Sequence, residues 1–158
     1  MWVIHDKEVL NLPEMKLSDE QYTPKSLFDK LNLTFDLDVA APIDNKSHVP
    51  AIRKYTQLDD GLAQPWEGRV WMNPPFSKVT PWVKKFIEHN NGVALLVVSR
   101  SYWFAELWEV ADGIVSTESN LKFDRPDGSK NTISFQTFLF ALGKDNANAL
   151  AGTGKRVR

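Results

Sequence analysis

The strongest constraint on this chain is Asn73-Pro74-Pro75-Phe76, set directly behind the apolar run Val70-Trp71-Met72. That run, bounded by Gly68 on one side and two prolines on the other, reads as a short buried strand. It must end there, because neither proline can donate to a sheet ladder and Pro75 pushes Pro74 into an extended conformation. The backbone therefore leaves the sheet as a stiff arch with free carbonyls. A helix is expected next, with Thr80 as N-cap, Pro81 at the first helical position and Trp82, Val83, Phe86 and Ile87 as its apolar stripe. Residues 92–99, GVALLVVS, have the continuous Val/Leu character of a central parallel strand. Strand, loop, helix and strand make a βαβ unit, and such sheets bind ligands at the carboxyl ends of their strands, where Asn73 falls.

The arch suggests a chemistry. An amine conjugated to a π-system is a poor nucleophile, because its lone pair is delocalised. If the Asn73 side-chain oxygen and the Pro74 carbonyl each accept one of its N–H groups, the nitrogen is drawn toward tetrahedral geometry and its developing positive charge is stabilised. Phe76 offers a flat face for a planar group. The simpler alternative is a plain turn, with Asn73 at its first position and Phe76 turned back into the core.

Composition limits the alternatives. At 158 residues and 42% hydrophobic content the chain supports one core. There are no cysteines, so disulfides and Cys-based zinc sites are excluded, and His5, His48 and His89 lack ligand spacing, so no metal site is expected. No run is long and apolar enough for a membrane span. A net charge of −1 is unusual for a nucleic-acid enzyme, which shifts attention from total charge to its local distribution.

Dispersed segments in order, TPKSLFDKL from Thr23, FDLDVAA from Phe35, LDDGLAQPWEGRVWMNPPFS from Leu58 and SRSYW from Ser99, resemble the phage-type DNA N6-adenine methyltransferases, the Dam family. The resemblance runs from about Gln21 to Gly143. It implies a minimal Rossmann-like methyltransferase fold of the α/β class, S-adenosylmethionine (SAM) as cofactor, double-stranded DNA as substrate and an adenine N6 amine as acceptor, flipped out of the duplex. It assigns Asn73, Pro74, Pro75 and Phe76 to catalysis. A phage or prophage protein working in the bacterial cytoplasm is the corresponding expectation. The same tetrad also suits a protein glutamine or an RNA guanine, and a DNA-binding module that has lost methyl transfer is a further alternative.

Cofactor contacts are expected at Tyr22, Thr23, Pro24, Asp36, Asp38, Asp59 and Asp60. Residues 35–41 form either the first strand of the methyltransferase sheet or the second, and they lack the glycine-rich turn common in such enzymes. Asp36 and Asp38 share a face of that strand, with Asp38 nearer its carboxyl end. Thr23-Pro24 opens a helix either as an ordinary start or as an anion site for the methionine carboxylate. Asp59-Asp60-Gly61 is either a surface turn or an acidic loop touching the donor's adenine. Ser77, Lys78, Arg100 and Arg125 are the expected nucleic-acid contacts, Arg100 holding a phosphate of the displaced nucleotide. Residues 44–47 read as a solvated loop.

The expected organisation is a single domain over residues 1–143, with residues 1–20 as a variable leader and residues 144–158 as a disordered basic tail. Trp103, Phe104, Leu107 and Trp108 form a helical stripe, and a strand runs over 113–117. The sheet is expected to be mostly parallel, with an antiparallel C-terminal strand formed by 134–142 pairing with 121–123 across a turn-rich loop.

Overall fold

The computed structural model describes residues 21–119, 121–132 and 135–158; the expected leader and His5 lie outside them. In chain order the elements are α1 (Lys25–Leu31), β1 (Phe35–Ala41), β2 (Ala51–Thr56), β3 (Val70–Met72), α2 (Val79–His89), β4 (Gly92–Val97), α3 (Tyr102–Val110), β5 (Gly113–Thr117), β6 (Lys122–Asp124), β7 (Lys130–Thr132), β8 (Thr137–Leu142), α4 (Lys144–Ala149) and β9 (Gly154–Arg156). The fold is α/β. Seven strands form one sheet in the order β2-β1-β3-β4-β8-β5-β9, and β6 and β7 form a separate hairpin.

β2, β1, β3 and β4 are mutually parallel, whereas β8 runs antiparallel to both β4 and β5. The central strands are apolar throughout because both faces are covered. Val70, Met72, Ala94 and Leu96 pack on the side of α2 and α3. Trp71, Val93 and Leu95 pack on the side of α1 and α4, where Trp71 meets the Phe28 ring edge-on at 4.8 Å between centroids. α1 and α2 each end in a left-handed asparagine, Asn32 and Asn90, whose N–H closes the last turn on Phe28 and Phe86.

Three expectations are corrected. α2 starts at Val79, behind a single 3₁₀ turn over Phe76–Lys78, so Thr80 and Pro81 lie within its first turn. The first-turn N–H groups have no intrahelical partner, so proline fits there without cost. The antiparallel strand exists, but β8 pairs with β4 and β5, while Lys122–Asp124 pairs with Lys130–Thr132. Residues 144–158 are ordered: α4 covers the sheet and β9 extends it beside β5. Few apolar residues suffice, because Leu150 is fully buried and Asn146 makes three links. It donates to the Leu142 carbonyl at 2.7 Å and to Asn91 at 2.8 Å, and accepts from Arg69 Nε at 2.6 Å.

Among the described residues no helix is long and apolar enough to cross a membrane, and no cluster of His, Asp and Glu is suited to hold a metal ion.

Candidate active site

β1 lies between β2 and β3, so the chain turns one way out of β1 and crosses back over it to reach β3. This reversal of strand order opens a crevice at the carboxyl ends of β1 and β3, the usual ligand position in open α/β sheets. The arch stands there. Asn73, Pro74 and Pro75 are buried, while Phe76 is 53% exposed, which excludes the reading of Phe76 as a core ring. The Pro75 carbonyl accepts the Lys78 N–H at 3.3 Å, which closes the 3₁₀ turn.

Asn73 is 2% exposed. Its Nδ2 donates to Thr23 Oγ1 at 3.3 Å, and its Oδ1, also buried, has no hydrogen-bond partner among the described residues. Buried amide oxygens are nearly always satisfied in folded proteins, so this one is an acceptor waiting for a donor.

A cavity of about 530 Å³ opens beside the arch. Asn73, Pro74 and Phe76 form one wall, and Val97, Ser99 and Trp103, from the end of β4 and the start of α3, form another. Ser77 and Lys78 also line it. Arg100 is exposed between the lining residues Ser99 and Ser101. The structure therefore gathers three of the four expected nucleic-acid contacts on this side. Arg125 is elsewhere, in the β6–β7 hairpin, half-buried and with its Nε unpaired among the described residues.

Asp38 lies on the α1 side of the sheet. It is 4% exposed, and burial pushes its carboxyl up to about 6, against the opposing effects of the Ala40 N–H, which it accepts at 3.2 Å, and of Lys54. A second cavity, of about 280 Å³, adjoins it and is lined also by Asn45, Ser47, Val49 and Lys54. The segment between β1 and β2 is largely exposed, as expected of a solvated loop, but it is also fastened along its length as a strap. Its odd residues 45, 47 and 49 face this cavity, while its even residues are fastened outside: Asp44 to the Tyr22 hydroxyl, Lys46 to the Pro126 carbonyl at 2.8 Å and His48 to Asp124 at 2.9 Å. Asp124 also pairs with Lys130 at 3.0 Å. Although burial opposes it, the hydrogen bonds from Lys130 and His48 hold the Asp124 carboxyl below its usual range.

Tyr22, Thr23 and Asp38 are therefore linked with Asn73 through the strap and the Thr23–Asn73 contact, whereas Pro24 lines a separate cavity with Lys30 and Lys122. The remaining expected acids lie outside this linkage. Asp36 accepts the Arg69 N–H at 2.7 Å at the opposite end of β1. Asp59 caps its own turn, accepting from the Thr56 N–H at 2.8 Å, and Asp60 carries the positive φ of that turn, 57°. Beyond it, Lys85 donates to the Leu62 carbonyl at 2.8 Å and to the Gln64 carbonyl, and lies 5.1 Å over the Trp66 ring. Burial lowers its ammonium below the ordinary lysine range, in opposition to Asp60 and Glu88. Lys85 holds the loop before β3 in place. α1 has seven residues and no side-chain cap. The strap and the Thr23–Asn73 contact escape sequence reasoning; alternation of Asp44, Lys46 and His48 with smaller residues was the available signal for the former.

The family model described as DNA N-6-adenine-methyltransferase (Dam) matches residues 12–141. A DNA N-6-adenine-methyltransferase of Escherichia phage T1 is 34% identical over 129 residues, covering 77% of this chain and 51% of that protein. One from Haemophilus phage HP1 (strain HP1c1) is 32% identical over 110 residues, covering 64% of this chain and 61% of that protein. The chain thus spans between half and two thirds of the length of these curated relatives. No solved structure matches.

Proposed function

Because the chain belongs to the DNA N-6-adenine-methyltransferase (Dam) family, we propose that it methylates the N6 amine of adenine in double-stranded DNA, with SAM as donor, on a Rossmann-like sheet. The observation that carries this reading is the buried Oδ1 of Asn73, which has no hydrogen-bond partner among the described residues, on a residue that lines the larger cavity. It is a lone acceptor on a pocket wall beside an exposed aromatic ring, which suits an amino group on a flat heterocycle. Like the two phage relatives, the protein is read as phage or prophage encoded.

The residues present fit the donor. Asp38 uses one oxygen on Ala40, which leaves a buried carboxylate facing a polar cavity, and Asn45 and Ser47 add hydrogen-bonding groups to its wall. A ligand rich in hydroxyl and amino groups is matched by such acceptors, and charge-assisted bonds are roughly twice as strong as neutral ones. When bound, SAM supplies a methyl carbon on a sulfonium, electrophilic enough for a neutral amine.

Asn73 Oδ1 and the Pro74 carbonyl each accept one N–H of the target amine, so the nitrogen is drawn toward tetrahedral geometry and its lone pair is less delocalised into the ring. As the N–C bond forms and the C–S bond breaks, both dipoles face the growing positive charge on nitrogen. The extra proton then leaves to water. Phe76 stacks on the extruded base, a contact worth about 1–3 kcal/mol, and Lys78 and Arg100 hold the backbone on either side.

The test is Asn73→Ala, assayed by labelled-methyl transfer into DNA, RNA and protein alongside calorimetric SAM titration. Transfer to adenine in DNA should fall about 10²–10³-fold, as for loss of one preorganised dipole, with SAM affinity retained. Unchanged transfer, or label entering RNA or protein instead, overturns the reading.

A further inference from the structure

We propose that the cleft between α1 and the β6–β7 hairpin, where Lys30, Lys122 and Lys130 meet, is a second DNA contact that grips backbone phosphates of the duplex some distance from the target adenine. The inference rests on the reading of DNA as the substrate, and it adds a surface separate from the arch and the larger cavity.

The cleft holds about 320 Å³ and is lined by Pro24 and Lys30 at the two ends of α1, by Glu118, and by Lys122 and Lys130 from the two strands of the hairpin. Three lysines thus face one glutamate in a chain whose net charge is −1, a local excess of positive charge that the overall composition hides. Lys122 is exposed and has no ion-pair partner among the described residues. Lys30 reaches Glu118 at 3.3 Å and Lys130 reaches Asp124 at 3.0 Å, but the two lysine side chains are 44% and 62% exposed. Ion pairs so open to solvent hold their partners weakly, so both ammonium groups can turn to a phosphate. A lysine is a compact point charge without the planar fork that reads a base edge, and a set of three suits a grip on phosphate oxygens.

Topology puts the cleft on the edge of the sheet that carries the arch. β1, β3, β4 and β5 run the same way, since β8 is antiparallel to both β4 and β5, and their carboxyl ends share that edge. Glu118 directly follows β5. Thr153, also in the lining, precedes Gly154, which pairs with Thr117 at the end of β5. Pro24 follows Thr23, the residue that meets Asn73. Gln136 joins the ends of β4 and β5, accepting the Val98 N–H at 2.9 Å on its carbonyl and donating its side-chain amide to the Thr117 carbonyl at 3.0 Å, so the edge is continuous from Arg100 to the cleft. By strand order Asp38 and its cavity stand on one side of the arch, and Arg100 and the cleft on the other. The place proposed for the donor and the cations therefore do not overlap. Three strand spacings separate β3 from β5, about 14 Å, which corresponds to roughly four base pairs of duplex.

The test is binding of duplex DNA by the full chain without SAM, followed by fluorescence anisotropy over a range of salt concentrations. Lys122→Gln should reduce the slope of log affinity against log salt by about 1, and Lys30→Gln, Lys122→Gln and Lys130→Gln together by about 2–3. The loss should be the same for duplexes of different sequence, and Lys122→Arg should keep the parental slope. Lys144→Gln removes an exposed lysine just beyond the end of β8, at the opposite edge of the sheet. It should leave the slope unchanged, which separates the cleft from a general effect of net charge. In methyl transfer the triple variant should raise KM for DNA about 10–100-fold, while kcat and SAM affinity hold.

A parental slope in the triple variant, or an equal change from Lys144→Gln, overturns the proposal. The two readings fail separately. Unaltered DNA binding in the triple variant beside an inactive Asn73→Ala removes only the cleft, whereas an active Asn73→Ala beside a reduced slope in the triple variant removes the methyl-transfer reading and leaves the cleft.

Discussion

Asp38 stands opposite Trp71 in the parallel pairing of β1 with β3, and Asn73 follows two residues beyond Trp71, so a buried carboxylate on β1 neighbours the strand whose end carries an unpaired amide oxygen. The carboxylate is held at a cost. Its pKa of about 6 in the folded protein lies above its unfolded value of about 3.9, so between these limits the folded state binds more protons than the unfolded one. This group's contribution to stability is therefore greatest below about pH 4, declines as pH rises, and levels off above about pH 6. Asp38→Asn removes the buried charge and should stabilise the protein at pH 8 by up to about 3 kcal/mol, measured by denaturant unfolding. The same variant should bind SAM more weakly, and parental SAM affinity should fall as pH drops through about 6. Unchanged affinity in Asp38→Asn would remove Asp38 from the donor pocket.

Asp36 should behave oppositely. It accepts the Arg69 N–H far from the arch, so Asp36→Ala should lose about 1–2 kcal/mol of stability while SAM titrates as before. A selective loss of donor binding would restore Asp36 to the site.

The half-exposed ring of Phe76 leaves room for a larger one. Phe76→Trp should keep the melting temperature and measurable methyl transfer, whereas Phe76→Ala should keep the fold and lose activity. The alanine loss should be smaller when the target adenine is mismatched, because less unpairing energy is then required. Equal losses on paired and mismatched DNA would rule out stacking on an extruded base.

Lys85 tests the support behind the arch. Lys85→Met keeps the aliphatic stem against Trp66 but abandons the carbonyls of Leu62 and Gln64. Hydrogen bonds to a charged group are typically worth about 1.5–3 kcal/mol, and a loss of this order in chemical denaturation is expected. DNA affinity should change little, because the ammonium is turned into the loop.

The parts of the site legible in the sequence are those governed by local rules. Two prolines after an apolar run must end a strand, and apolar spacing over Trp82, Val83 and Phe86 must make a helix, so the arch and its βαβ setting follow directly. Asp38 is legible as an acid on a buried strand. What escapes is non-local. Nothing near Thr23 reveals that its hydroxyl meets Asn73, and the pairing of His48 with Asp124 depends on how a distant hairpin docks. The last segment misleads for a compositional reason. Its glycines and asparagines resemble a disordered tail, yet Asn146, the buried Ala147 and Leu150 and the pairing of β9 with β5 anchor it.

The position of β8 bears on synthesis. β8 follows β5 in the chain yet lies between β4 and β5, and β9, the other neighbour of β5, comes later still. While the protein emerges from the ribosome, β5 has no partner on either edge and β4 has one edge open until residues 137–142 are out. β4 is apolar and β5 is largely buried in the finished fold, and unpaired edges of this kind invite pairing with other chains. A nascent chain stalled before Thr137 therefore carries its most aggregation-prone surface uncovered, and chaperone demand should peak in that interval.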